Sequence, residues 1–173
     1  MIRYAFGLAL FCAPAVAQDF APIHEVLSHP RCTNCHVDAA GIPLWSDGDD
    51  TRPHGFHVRA GESRMGIETT PCGTCHGLQN TTLEGGAPGA PHWGLPPAEM
   101  AWAGRSAAEI CNQLKDPERN GGRSLQEIAN HIREDPLVLW GWAPGPGRTA
   151  APATPEALAE AVLDWAAAGA PCP

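Results

Sequence analysis

Lysine is almost absent from this 173-residue chain: Lys115 is the only one. With 11 basic against 19 acidic residues and a formal charge of −8, no basic face for nucleic acid or an anionic membrane is expected. Ordinary core material is scarce too, with four Phe and one Tyr against 19 Gly and 18 Pro. A short chain so rich in loop formers needs disulfides, a metal or a cofactor to make up a thin core. No convincing strand pattern is present, so the expected class is mainly α, with long Gly/Pro-rich loops and little or no β-sheet. No stretch after the first twenty residues is apolar for long enough to suggest a membrane span.

The first twenty residues, "MIRYAFGLALFCAPAVAQDF", have a basic start at Arg3, an apolar run from Tyr4 to Cys12 and the small-residue site Ala15-Val16-Ala17. This pattern predicts a secretory signal cleaved after Ala17, and with it a periplasmic location. Phe11 is too bulky for Cys12 to serve as a lipoprotein site, so Cys12 is read as part of the signal. Removing 17 of the 173 residues leaves 156, with six of the seven cysteines and a charge of −9 from 10 basic and 19 acidic residues. An oxidising compartment disfavours unpaired thiols, and two of the six cysteines lie outside any motif. Cys111 and Cys172 are therefore expected to form a disulfide tying a mid-chain helix to the C-terminal tail.

Residues 18–173 read as one domain in three regions. Residues 18–80 hold two Cys-x-x-Cys-His motifs joined by an aperiodic Gly/Asp-rich connection, and residues 81–104 form a second Gly/Pro-rich loop. Loops this long in a compact domain are usually functional or packed on something large. Residues 105–173 carry the clearer helices. Ser106-x-x-Glu109 and Ser124-x-x-Glu127 are capping boxes, and Thr154-Pro155 opens a third helix that Gly169 ends. A short helix is expected from Pro22 into the first motif. The apolar stretch 136–142, "PLVLWGW", reads as a strand or as a loop lying on a cofactor.

"CTNCH" (32–36) and "CGTCH" (72–76) carry the chemistry. A thioredoxin-like pair would sit beside a βαβ pattern, which the chain lacks. Zinc knuckles are normally closer together than these two pairs, which 36 residues separate, and zinc gives no reason for a His after each pair. Covalent haem attachment explains that histidine: two thiols add to the vinyl groups, and the next residue supplies an imidazole to the iron. Two haem c groups are expected, one on Cys32, Cys35 and His36, the other on Cys72, Cys75 and His76.

Each iron then needs a group on its far face, from His24, His29, His54, His57, His92, His131, Met65 or Met100. A methionine there raises the reduction potential, a second histidine lowers it, and an empty face admits ligands. His131, three residues after Ile128 on a helical apolar face, reads as a packing histidine. "HPRCTNCH", "RPH", "EMAW", "EICNQLKDPERNGGRSL", "DPLVLWGWAPGPGR" and "GAPCP" resemble a family of small exported proteins described as isoquinoline 1-oxidoreductase subunits. The similarity covers nearly all of residues 18–173 and is most specific from Met100 to Arg148. It implies a small dihaem cytochrome c fold and a molybdenum hydroxylase as electron donor, although no segment resembles a molybdopterin or iron–sulfur domain. His29, His54, Met100 and His131 match the family best, while His57, Met65 and His92 are peculiar to this chain. The expected distal ligands are, in order, Met100, His54, His92 and Met65.

The functional expectation is an electron-transfer protein and not an enzyme, passing single electrons from a partner oxidoreductase to a downstream cytochrome or oxidase. The alternatives are a small haem enzyme with one open site, of peroxidase or nitrogen-oxide reductase type, a nitrate-reductase-type small subunit, and a non-haem metal module.

Overall fold

A computed structural model describes residues 19–47, 50–67 and 69–173; the expected signal sequence lies outside the described residues. Helix α1 (Ala21–Leu27) has Pro22 in its first turn and buries Ile23, Val26 and Leu27. Helix α2 (Pro30–Thr33) follows after a break, so the single helix expected to enter the first motif is two. His29 caps α2: its Nδ1 accepts the Arg31 N–H at 3.2 Å, and Pro30 follows at the first helical position.

Both capping boxes form. Ser106 and Glu109 open α3 (Ala107–Leu114), and Ser124 and Glu127 open α4 (Leu125–Glu134). The stretch at 136–142 is neither strand nor loop. Asp135 accepts the N–H groups of Leu137 and Val138, which starts α5 (Pro136–Leu139), and a 3-10 turn (Trp140–Trp142) continues it. An apolar run gave no period to read there, and the Asp-Pro start decided it. Helix α6 (Pro155–Ala167) buries Leu158, Ala159, Val162 and Trp165.

Helices α1, α3, α4 and α6 close over one core, in which Ile23, Ile110, Cys111, Val162 and Trp165 are almost fully buried and Phe20 meets Trp165 at 5.1 Å. The Cys111–Cys172 disulfide, with its Cα atoms 5.6 Å apart, fastens the C-terminal tail to α3. Trp165 Nε1 donates to Pro171 O, and Nζ of the single lysine, Lys115, donates to Ala170 O, both at 2.8 Å. The one lysine is thus a strut for the tail.

The rest is held by polar stitching. Buried Arg64 donates to Val37 O, Asp38 O and Pro96 O at 2.8–3.0 Å, joining three loop segments through one guanidinium. Asn80 accepts from Trp140 Nε1 and Gly89 N, and donates to Ala143 O. Strands β1 (Leu44–Asp47) and β2 (Asp50–Pro53) form an antiparallel hairpin in which Arg52 lies over its partner Trp45, and β3 (Gly66–Ile67) and β4 (Thr70–Pro71) form a second. Among the described residues the architecture is therefore mixed, with helices, two small antiparallel ribbons and no closed barrel. These strands are too short to show a period of two, so the connection reads as irregular in sequence. Gly66 is required at the second ribbon: φ is +129°, and a Cβ there would lie 2.7 Å from Cys72 N.

Candidate functional site

The two motifs fold into the same turn. In the first, the N–H groups of Cys35 and His36 both reach Cys32 O, at 3.2 and 3.0 Å; in the second, those of Cys75 and His76 reach Cys72 O at 3.1 and 3.0 Å. Two thiols and one imidazole are so displayed in a fixed relation, by local hydrogen bonding alone. The second turn is a 3-10 helix (Cys72–Thr74) that follows β4 directly.

Both histidines are also oriented alike. His36 Nδ1 lies 2.8 Å from Met100 O, and His76 Nδ1 lies 2.8 Å from Pro88 O. A carbonyl only accepts, so each ring carries its proton on Nδ1 and offers the Nε2 lone pair to a metal. Each ring is further fixed by a parallel tryptophan: Trp102 stacks on His36 at 3.4 Å and 2°, and Trp93 on His76 at 4.5 Å and 6°. Trp102 is itself anchored, since its N–H donates to His36 O and its Nε1 donates to Gln113 Oε1 on α3. A ligating imidazole held through its second nitrogen by a carbonyl is the usual outer shell of a metal-bound histidine.

The surroundings differ. A cavity of about 310 Å³ is lined by Cys32, Cys35, His36, Trp102, His131 and Trp140, among others, which is within the size range of organic cofactor sites. Burial pushes the Cys32 thiol up to about 12 and the Cys35 thiol to about 11, opposite to the low values of redox-active cysteine pairs. His36 is pushed down to about 4 by burial, the Met100 carbonyl opposing and His131 and Arg64 adding to it. The second motif is more open. Cys75 is exposed, His76 is partly buried, and Phe56, Leu78 and Leu83 in nearby loops are between 71% and 97% exposed. A larger groove of about 680 Å³ runs past Arg59–Arg64 and Ala98–Glu99, but no Cys or His lines it.

Among the described residues, no three His, Cys, Asp or Glu side chains are gathered in metal-binding proximity. The cavity instead presents cationic groups. Arg31 is buried along its wall, its Nε has no hydrogen-bond partner among the described residues, and one Nη donates to Ser46 O at 3.3 Å. Arg123 borders the same space. A buried guanidinium with an unused N–H fits the carboxylates of a haem better than a purely apolar guest. The residues present therefore fit the group that the motifs imply.

The candidate far-side ligands separate. His54 sits beside His76, ring centres 5.9 Å apart at 62°, with its own Nδ1 on Gly55 O at 2.8 Å. Met100, Met65 and His92 border the first cavity. Met100 is 9% exposed and its main chain faces His36 Nδ1, while its Cε ends 2.8 Å from where a Cβ on Gly121 would lie. His92 is exposed with a φ of +59°. His24 Nε2 is buried without a partner, and His57 is exposed. Sequence reasoning missed Arg31, whose only signal is its place directly before the first motif, and the tryptophans as ring supports. It also set His131 aside, though the residue borders the cavity.

The two sites are neighbours. Cys72 is close enough for its charge to bear on Cys35, and contacts run from Arg31 over Trp140 (5.7 Å), to Trp93 (5.0 Å), to His76. No protein-family model, curated protein or solved structure matches the chain.

Proposed function

We propose that this chain is an exported electron-transfer protein, a c-type cytochrome carrying two haems. The observation that carries this reading is the repeated device at His36 and His76: the same cysteine turn, Nδ1 on a carbonyl at 2.8 Å, and a parallel tryptophan. Cys32, Cys35 and His36 would hold one haem, and Cys72, Cys75 and His76 the other, each supplying a one-electron ferric/ferrous couple when bound. His54 is the candidate sixth ligand at the second site. A metal shared by two imidazole nitrogens at roughly 2 Å each sets the ring centres about 6 Å apart, and those of His54 and His76 are 5.9 Å apart.

The particular role is that of a periplasmic relay between a donor oxidoreductase and a downstream cytochrome or oxidase. The resemblance described above points to a molybdenum hydroxylase as donor. The short path between the two motifs supports an internal relay, and the acidic balance favours partners with a basic or neutral docking face. No helix among the described residues is long and apolar enough to cross a membrane.

The test is production of the full chain in a host that matures c-type haem. Two haems per chain by mass, colour that survives a denaturing gel, and two reversible redox couples are expected. A colourless protein that binds zinc instead would overturn the reading, and carbon monoxide binding to the reduced protein would favour a haem enzyme over a relay.

A further inference from the structure

The first cavity contains a histidine for which the fold gives no packing reason. His131 lies on α4 between Ile128 and Ile132, which are both buried, yet its side chain remains about a third exposed and borders the cavity that also holds His36. Its Nδ1 faces Asp135 Oδ2 at 3.4 Å. Asp135 cannot swing away, because its Oδ1 accepts the N–H groups of Leu137 and Val138 at the start of α5. No side chain or main-chain group among the described residues hydrogen-bonds His131 Nε2. A carboxylate 3.4 Å from Nδ1 would hold the proton there, and the unclaimed Nε2 on the cavity wall is left to a metal.

The other three groups bordering this cavity are worse placed. Met100 gives its carbonyl to His36 Nδ1, so its main chain is on the side of the ring away from Nε2, where a metal binds. Its methyl end is turned to Gly121. The Met65 sulfur packs on Gly94, 2.7 Å from where a Cβ would stand, and its carbonyl takes the Cys72 N–H of the other motif. His92 is exposed and no carboxylate is paired with it among the described residues. His131, by contrast, lines the same cavity as His36 with its Nε2 unclaimed by any group among the described residues.

We propose that His131 is the sixth ligand of the iron held by His36, with Asp135 as its positioning residue, so that both haems are ligated by two histidines. This rests on the reading of the two motifs as haem sites. It changes the expected function of the protein: without a methionine ligand, the relay runs between two couples of similar, low potential and not down a step from one haem to the other.

The experiment uses the purified full-length holoprotein. Haem content is measured first, because fewer than two haems per chain removes the underlying reading, whereas two haems leave only the ligand in question. The wild type should then show no far-red methionine–iron absorption. His131→Ala should convert one of the two haems to a high-spin signal that added imidazole returns to low spin. His131→Met, which keeps a sixth ligand where the Ala variant fails to fold, should create the far-red band and raise one couple while leaving the other. Asp135→Asn should raise that same couple, by a smaller shift. A methionine band in the wild type that Met100→Leu abolishes, or a His131→Ala protein with both haems still low-spin, overturns the proposal.

Discussion

The first Cys-x-x-Cys-His turn grows out of α2 and faces a cavity walled by the helical half, with Trp102 pinned to α3 beneath its histidine. The second turn follows a two-residue strand, and loops supply everything around it: Pro88 O, Trp93 and His54. Identical local chemistry thus rests on an apolar helical core in one case and on hydrogen-bonded loops in the other. The lesson is that a motif of five residues brings its own turn, while the carbonyl that orients its histidine and the enclosure are properties of the surrounding fold. The first site should therefore be coupled to global stability and the second mainly to local order.

The largest separation of the two is expected from removing the cysteines in pairs. Cys72→Ala with Cys75→Ala should leave a folded chain with one haem and a cooperative thermal transition. Cys32→Ala with Cys35→Ala should lose that transition as well as its haem. Circular dichroism melts with haem counts check this, and equal damage from both pairs breaks the comparison.

Next come the tryptophans. Trp102→Ala removes the ring under His36 and the bond to Gln113, and should destabilise by about 3–5 kcal/mol. Trp93→Ala should cost less in denaturant titrations while broadening the spectrum of the haem proposed at His76. A larger loss at Trp93 would mean that the loops, and not the helices, carry the stability.

The disulfide and the caps act on the helical half alone. Replacing Cys111 and Cys172 by Ser should cost about 2–4 kcal/mol, measured by urea unfolding, and leave both haem spectra unchanged. Ser106→Ala and Ser124→Ala should each cost about 1 kcal/mol. Acid should weaken the same two caps. The Ser106 N–H and then its hydroxyl hold the Glu109 carboxyl below the usual carboxylate range, and Ser124 does the same for Glu127. The unfolded chain takes up these protons first, so the caps contribute fully above the ordinary carboxylate pKa and fade as pH falls through the lowered values. Melts between neutral and acid pH should show this slope in the parent and a flatter one in the double Ser→Ala variant.

Much of this molecule is legible in short segments of sequence. Ser106, Ser124 and Thr154 start the helices where expected because a cap acts within three residues. The motif turns form because Cys32 O and Cys72 O accept from residues three and four positions on, and the leftover pair Cys111 and Cys172 follows from counting. Other features needed the fold. The Met100 carbonyl reaches His36 across 64 residues, a main-chain contact that no local pattern marks. The cavity beside His131 and the three carbonyls around Arg64 are likewise assembled from segments far apart in sequence. The sequence by itself determined the helices capped by Ser106, Ser124 and Thr154, the two cysteine–histidine turns and the disulfide, because each depends on neighbours along the chain or on residue identity alone. The enclosure of one site, the openness of the other and the carbonyl on each Nδ1 depend on contacts between distant segments, and only the tertiary structure decided them.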